Sequence, residues 1–166
     1  MIGAVELIVA AFDDEDKANQ ILKHLQNLQK DKVIDIINAA VMVKTGAGRT
    51  IIKETQDVNS SQGAIFGAIV GGVIGLIGGP AGVIAGAAAG AAAGGVTAHQ
   101  VDMGFDDDML AELKDGLPPG SSAIITMVEY QWVESTIREL DQAGAKIVRQ
   151  ALKDEIAVQI VKAREG

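Results

Sequence analysis

The chain has no cysteine, which removes disulfides, thiolate nucleophiles and zinc–thiolate centres. Aromatics are scarce: one Trp, one Tyr and three Phe in 166 residues. Basic residues are outnumbered, with 14 Lys and Arg against 22 Asp and Glu, for a net charge of −8. That balance argues against nucleic-acid binding, which needs clustered Lys and Arg to displace counterions. It also argues against attachment to anionic headgroups through a basic patch. The opening Met1-Ile2-Gly3-Ala4-Val5-Glu6 lacks a basic region followed by an apolar core and a cleavage site, so no secretory signal is expected there.

Charge is missing altogether from residues 58–101. An uncharged run of roughly 44 residues is about twice what one bilayer crossing needs. Gly79-Pro80 interrupts it near the middle, where proline forbids one continuous helix. Residues 1–57 and 102–166 have ordinary mixed composition. The expected organisation is therefore one domain built from both flanks, with residues 58–101 inserted as an apolar hairpin. Each flank alone is too short for a sizeable core.

The first flank reads as strand, helix, strand, strand. Val5 to Phe12 is β-rich and bounded by acids. Asp13 or Asp14 is expected to cap the next helix, with Glu15 and Asp16 in its positive first turn. Ala18, Ile21, Leu22, Leu25 and Leu28 follow the helical spacing of three and four. Val33 to Lys44 and Thr50 to Thr55 are expected to form a hairpin through Gly46-Ala47-Gly48.

The second flank starts with a short helix from Asp106, halted by Gly116 and Pro118-Pro119. Ser122 to Glu129 is a strand. A helix from Glu134 to Ala143 buries Val133, Ile137 and Leu140 and stops at Gly144. Ile147 to Leu152 is a strand, and residues 154–163 fit a helix or a strand, with Ile156 and Ile160 four apart favouring helix. Leu7 to Leu28 and Ile124 to Ala143 share a strand-then-amphipathic-helix plan. Joined, the first six elements match an α+β, ferredoxin-like split βαβ sandwich, with the apolar segment inserted after its third strand.

Within the insertion glycines recur every fourth residue. The first set is Gly63, Gly67, Gly71, Gly75 and Gly79; the second, after Pro80 at the hairpin turn, is Gly82, Gly86, Gly90 and Gly94. On a helix this spacing makes a stripe without side chains, against which a neighbouring backbone packs closely through dispersion and weak Cα–H contacts. In water each such glycine costs roughly 1 kcal/mol relative to Ala, on the order of 9 kcal/mol for nine. A bilayer or a tightly packed oligomer would offset that. Each half-helix would be about 26 Å long, slightly short of a 30 Å hydrocarbon core. Phosphate-binding glycine loops are short and carry a lysine, and no such loop is present.

In layout the sequence resembles the bacterial and archaeal glycine-zipper "predicted membrane proteins" of unknown function. The resemblance rests on Glu6-Leu7-Ile8-Val9-Ala10-Ala11-Phe12, the Gly63-to-Gly94 zipper and the strand–helix–strand unit that follows. It implies a membrane-associated protein with no assigned activity.

Catalytic patterns are missing: no Ser/His/Asp set, no HExxH and no paired carboxylates. Asp106-Asp107-Asp108 with Asp102 could bind a divalent cation, but a helix cap with first-turn acids explains them, as it does Asp13 to Asp16. His24 reads as structural. His99, at the zipper's edge, is placed to titrate at an interface. Tyr130 and Trp132 read as core packing, with anchoring at a membrane interface as the alternative. The expectation is a non-enzymatic, membrane-associated protein without cofactor or metal, its sheet domain on the cytoplasmic side and its partners other copies of itself and the bilayer. The alternatives are a cytoplasmic homo-oligomeric shell, ring or filament with the hairpins buried between subunits, a pore or channel, and a regulator sensing an unknown small molecule.

Overall fold

In the computed structural model, residues 5–47, 50–54, 83–85, 117–152 and 154–165 are described. Val5–Phe12 (β1) is a run of apolar residues around Glu6, and all eight positions are buried. A strand apolar on both faces belongs inside a sheet covered on both sides. Ile8, Ala10 and Phe12 point to one face, where they join the core formed with the helices. Leu7, Val9 and Ala11 point to the other face and are equally buried.

Lys17–Lys30 (α1) turns Ala18, Leu22 and Leu25 inward, as its three-and-four spacing requires. Its start differs from the expected cap. Asp16 occupies the N-cap position and makes no side-chain cap bond. The Asp14 carboxylate accepts instead from the Asp16 N–H at 2.7 Å. Helix donors are met from across the sheet: Ala18 N–H donates to Ser122 Oγ at 3.1 Å, and the Ser122 hydroxyl donates to the Asp14 carbonyl. The reason is proximity, since Ser122 pairs with Phe12 at the end of β1.

Beyond the end of α1, Lys32 has a φ of 62°. Val33 N–H donates to Leu28 O and Lys32 N–H to Gln29 O, the paired bonds of a Schellman closure. The chain must turn there, so Val33 is half exposed and does not begin the next strand. Ile34 and Ile36 drop into the core, and Asn38–Lys44 (β2) starts five residues later than Val33. β2 turns through Gly46 into Thr50–Glu54 (β3), as expected for a hairpin.

Ser121–Glu129 (β5) leads directly into Tyr130–Gln142 (α2). That helix begins four residues before Glu134, because the chain becomes helical as soon as it leaves the strand at Glu129. Val133, Thr136 and Leu140 are buried on its inner face. It closes as α1 does, with Ala145 N–H on Leu140 O and Gly144 N–H on Asp141 O; Gly144 has a φ of 84°. Lys146–Ala151 (β6) and Asp154–Glu165 (α3) complete the described chain. The last element is a helix, in line with the spacing of Ile156 and Ile160.

Val83–Ala85 is a further short strand (β4). The fold is α+β, with one sheet ordered β4-β3-β2-β5-β1-β6. β2, β5, β1 and β6 are antiparallel neighbours, so each strand–helix–strand unit (β1-α1-β2 and β5-α2-β6) leaves a gap that the other unit's first strand fills. The repeat seen in the sequence is thus two interleaved units. These are not the first six elements in chain order: β3 lies outside β2, away from β1.

β4 departs from the expected second zipper helix at three residues. Val83 and Ile84, expected in the second zipper helix, are in a strand parallel to β3, with Ile51 opposite Ile84. β-branched Val and Ile favour an extended backbone, and glycine-rich flanks weaken a competing helix.

Candidate functional site

Every glycine of the two zipper sets, Pro80, His99, Asp102 and Asp106 to Asp108 lie outside the described residues. Among the described residues no helix is long and apolar enough to cross a membrane. Among them, too, no cluster of three or more His, Asp or Glu is placed to hold a metal. Of the Asp13-to-Asp16 acids, Asp14 accepts from the Asp16 N–H, and Glu15 accepts from the Gly46 N–H at 2.7 Å, which ties the α1 entry to the hairpin turn.

Among the described residues, two contacts between oppositely charged or chargeable side chains join the interleaved units. Arg149 on β6 holds Glu6 on β1 with three hydrogen bonds, the shortest 2.7 Å. The carboxylate is nearly buried, and the guanidinium is about two-fifths exposed. His24 on α1 meets Glu139 on α2 at 3.1 Å at the exposed helix–helix seam. That contact fits a structural histidine.

The candidate site is an open cleft of about 490 Å³ where α1 ends and α2 begins. It is lined by Gln29, Lys32, Ile34, Asp35 and Trp132. α1's final turn supplies Gln29, and the αL residue Lys32 swings the chain so that Ile34 and Asp35 follow round the rim. Trp132 comes from the first turn of α2, with its indole packed partly against the core. Tyr130, two residues earlier, is 66% exposed and so departs from the core role expected of it.

Gln29 organises the wall. Its amide nitrogen donates to Asp35 Oδ1 at 3.4 Å and to the Ile36 carbonyl at 3.3 Å. Both are long for such bonds. Its amide oxygen is buried and accepts no hydrogen bond among the described residues. Reversing the amide would set that oxygen against a carboxylate and a carbonyl, so the orientation is fixed by the neighbours. A second unmet group, Asn38 Nδ2, lies in β2, while Asn38 Oδ1 takes the Ala39 N–H at 3.2 Å. Sequence reading missed the cleft because its two sides lie about a hundred positions apart. The only local signal was a lone Trp at a strand-to-helix junction.

The fold and cleft define an α+β protein with an interleaved double strand–helix–strand sheet and a small mixed-polarity surface site. The family model described as "Protein of unknown function (DUF1269)" matches residues 64–164, and the chain belongs to that family. No curated protein and no solved structure matches the chain.

Proposed function

We propose that this protein is a non-enzymatic, self-assembling scaffold whose glycine runs are the contact between copies. The observation that carries the reading is the unbroken four-residue recurrence from Gly63 to Gly79 and from Gly86 to Gly94 in an uncharged segment. Such bare stripes gain stability only against a close neighbour. The β1-α1-β2 and β5-α2-β6 units support a ferredoxin-like reading of the sheet domain, which would hold the assembly's geometry.

Two settings suit the stripes: a membrane and a water-soluble oligomer. The β3–β4 pairing favours the second. A 17-residue helix across a bilayer would separate its ends by about 26 Å, and the chain is back at the sheet by Val83, beside β3. Membrane association of the assembled protein remains the competing reading.

Carbonate extraction of expressing cells, followed by mass measurement in aqueous buffer, tests both. Release without detergent as a defined multimer supports the soluble assembly. Retention in the pellet until detergent is added supports the membrane reading. A monomer in either medium overturns self-assembly.

A further inference from the structure

We propose that the first glycine run, within residues 55–82, is seated on the sheet face opposite α1 and α2. This placement goes beyond contact between copies, because it names the surface that the run occupies in its own chain. Leu7, Val9, Ala40, Ile125 and Met127 point to that face and are fully buried. α1 and α2 do not cover them, because both pack on the other face, over Ile8, Ala10, Val41 and Ile124. α3 buries Ala157 and Ile160, but one helix is only about 10–12 Å across. The four strands β2, β5, β1 and β6, spaced about 4.8 Å apart, span about 19 Å. A further segment of the same chain is needed to cover that width.

Connectivity selects that segment. β5 and β6 are parallel to each other, and α2 joins them across the face that α1 also covers. β3 runs in the same direction as β5 and is followed by its parallel neighbour β4. The step from β3 to β4 goes the opposite way across the sheet from the step between β5 and β6. Connections between parallel strands of one sheet are right-handed in about 98% of cases. The same hand with a reversed step places the β3-to-β4 connection on the opposite face. Reach is ample. β1 lies three strand spacings from β3, about 14 Å, whereas Gly63 to Gly79 as a helix would be about 26 Å long.

The side chains of this run suit the same face. Two residues after successive glycines stand Ile65, Ile69, Val73 and Ile77. On a helix these form a line opposite the bare stripe. In the second run the corresponding positions include Ala88 and Ala92, so it has no such line. The Ile and Val line seats on the sheet, and the glycine line is left for a neighbouring copy.

The chain has no cysteine, so a single introduced one reports only on its own surroundings. Ala39 and Ala40 are buried neighbours on β2 that point to opposite faces. Ala39→Cys and Ala40→Cys are each alkylated with iodoacetamide in the full chain, alone and with Ile69→Asp and Val73→Asp added. The two aspartates put charge on the seated line, where its burial is prohibitive. The expected result is that both cysteines are protected in the single variants. The aspartates should then speed alkylation at Ala40→Cys by about tenfold or more and leave Ala39→Cys slow. Fast alkylation of Ala40→Cys without the aspartates overturns the proposal. So does no gain when they are added, or an equal gain at Ala39→Cys. Protection of Ala40→Cys that disappears as dilution lowers the oligomer mass also overturns it, because the cover is then a second copy. The same mass measurement reports self-assembly separately.

Discussion

Arg149 on the sheet's β6 edge grips both oxygens of Glu6, with its Nη2 2.7 Å from one and 3.1 Å from the other. The pair crosses from β6 to β1 and closes the seam between the two interleaved units. Glu6 is the one charged side chain buried among the described residues. Its cost is offset because the guanidinium fork matches the carboxylate in two places. Glu134 adds little: it lies 3.9 Å from Arg149 and is mostly in solvent.

Arg149→Met should therefore destabilise the protein by about 1–3 kcal/mol, because the Glu6 carboxylate is left without its donor. Glu6→Gln should cost less, since an amide oxygen still accepts from Arg149. Urea unfolding of the two variants checks the order. A larger loss for Glu6→Gln would contradict it.

Ser122 links the start of α1 to β5 through two hydrogen bonds. Ser122→Ala should lower stability by about 1–2 kcal/mol, the size of a lost helix cap, although Ser122 lies outside the helix in sequence. Asp13→Ala should change it by less than about 0.5 kcal/mol, as for other exposed sites without a contact. Thermal unfolding of both variants is the measurement.

The two helices end in the same hydrogen-bonded closure, yet one has Lys32 at the left-handed position and the other Gly144. A side chain there costs roughly 1–2 kcal/mol. Lys32→Gly should stabilise the protein by up to about 1 kcal/mol, and Gly144→Ala should destabilise it by about 1 kcal/mol. No atom would obstruct a Cβ at Gly144, so the effect is one of backbone conformation alone. Opposite shifts in denaturant midpoint at unchanged slope would show it.

His24 and Glu139 are within hydrogen-bond distance, but the histidine is half exposed. His24→Ala should change stability by less than about 1 kcal/mol, as for other exposed ion pairs. A double-mutant cycle with Glu139→Gln measures the coupling directly.

Gly71→Leu should abolish self-assembly, because one leucine holds two backbones apart where the stripe needs contact. Gly86→Leu tests the second run in the same way. Sedimentation of each variant should show the mass of a single chain. Assembly at the normal mass would end the zipper reading.

Composition was enough for β1 and β5, which are short β-rich runs, and periodicity was enough for α1 and the inner face of α2, because an apolar residue every third and fourth position leaves one way to bury it. Val133 and Leu140 are buried and Gly144 ends the helix, as their spacing indicated. Boundaries were less legible where two influences compete. Val33 has strand propensity, but the closure of α1 needs it in the turn. Tyr130 looks like a core residue, yet it faces solvent on the first turn of α2.

Sequence by itself thus determined the α+β composition, the doubled strand–helix plan and the uncharged glycine-rich stretch, since each is a local property of composition or period. Tertiary structure alone decided that β3 lies outside β2, that Val83–Ala85 joins the sheet, and that Gln29, Lys32, Asp35 and Trp132 share one cleft. These depend on which distant segments compete for the same hydrogen bonds and buried surface, and no local pattern encodes that competition.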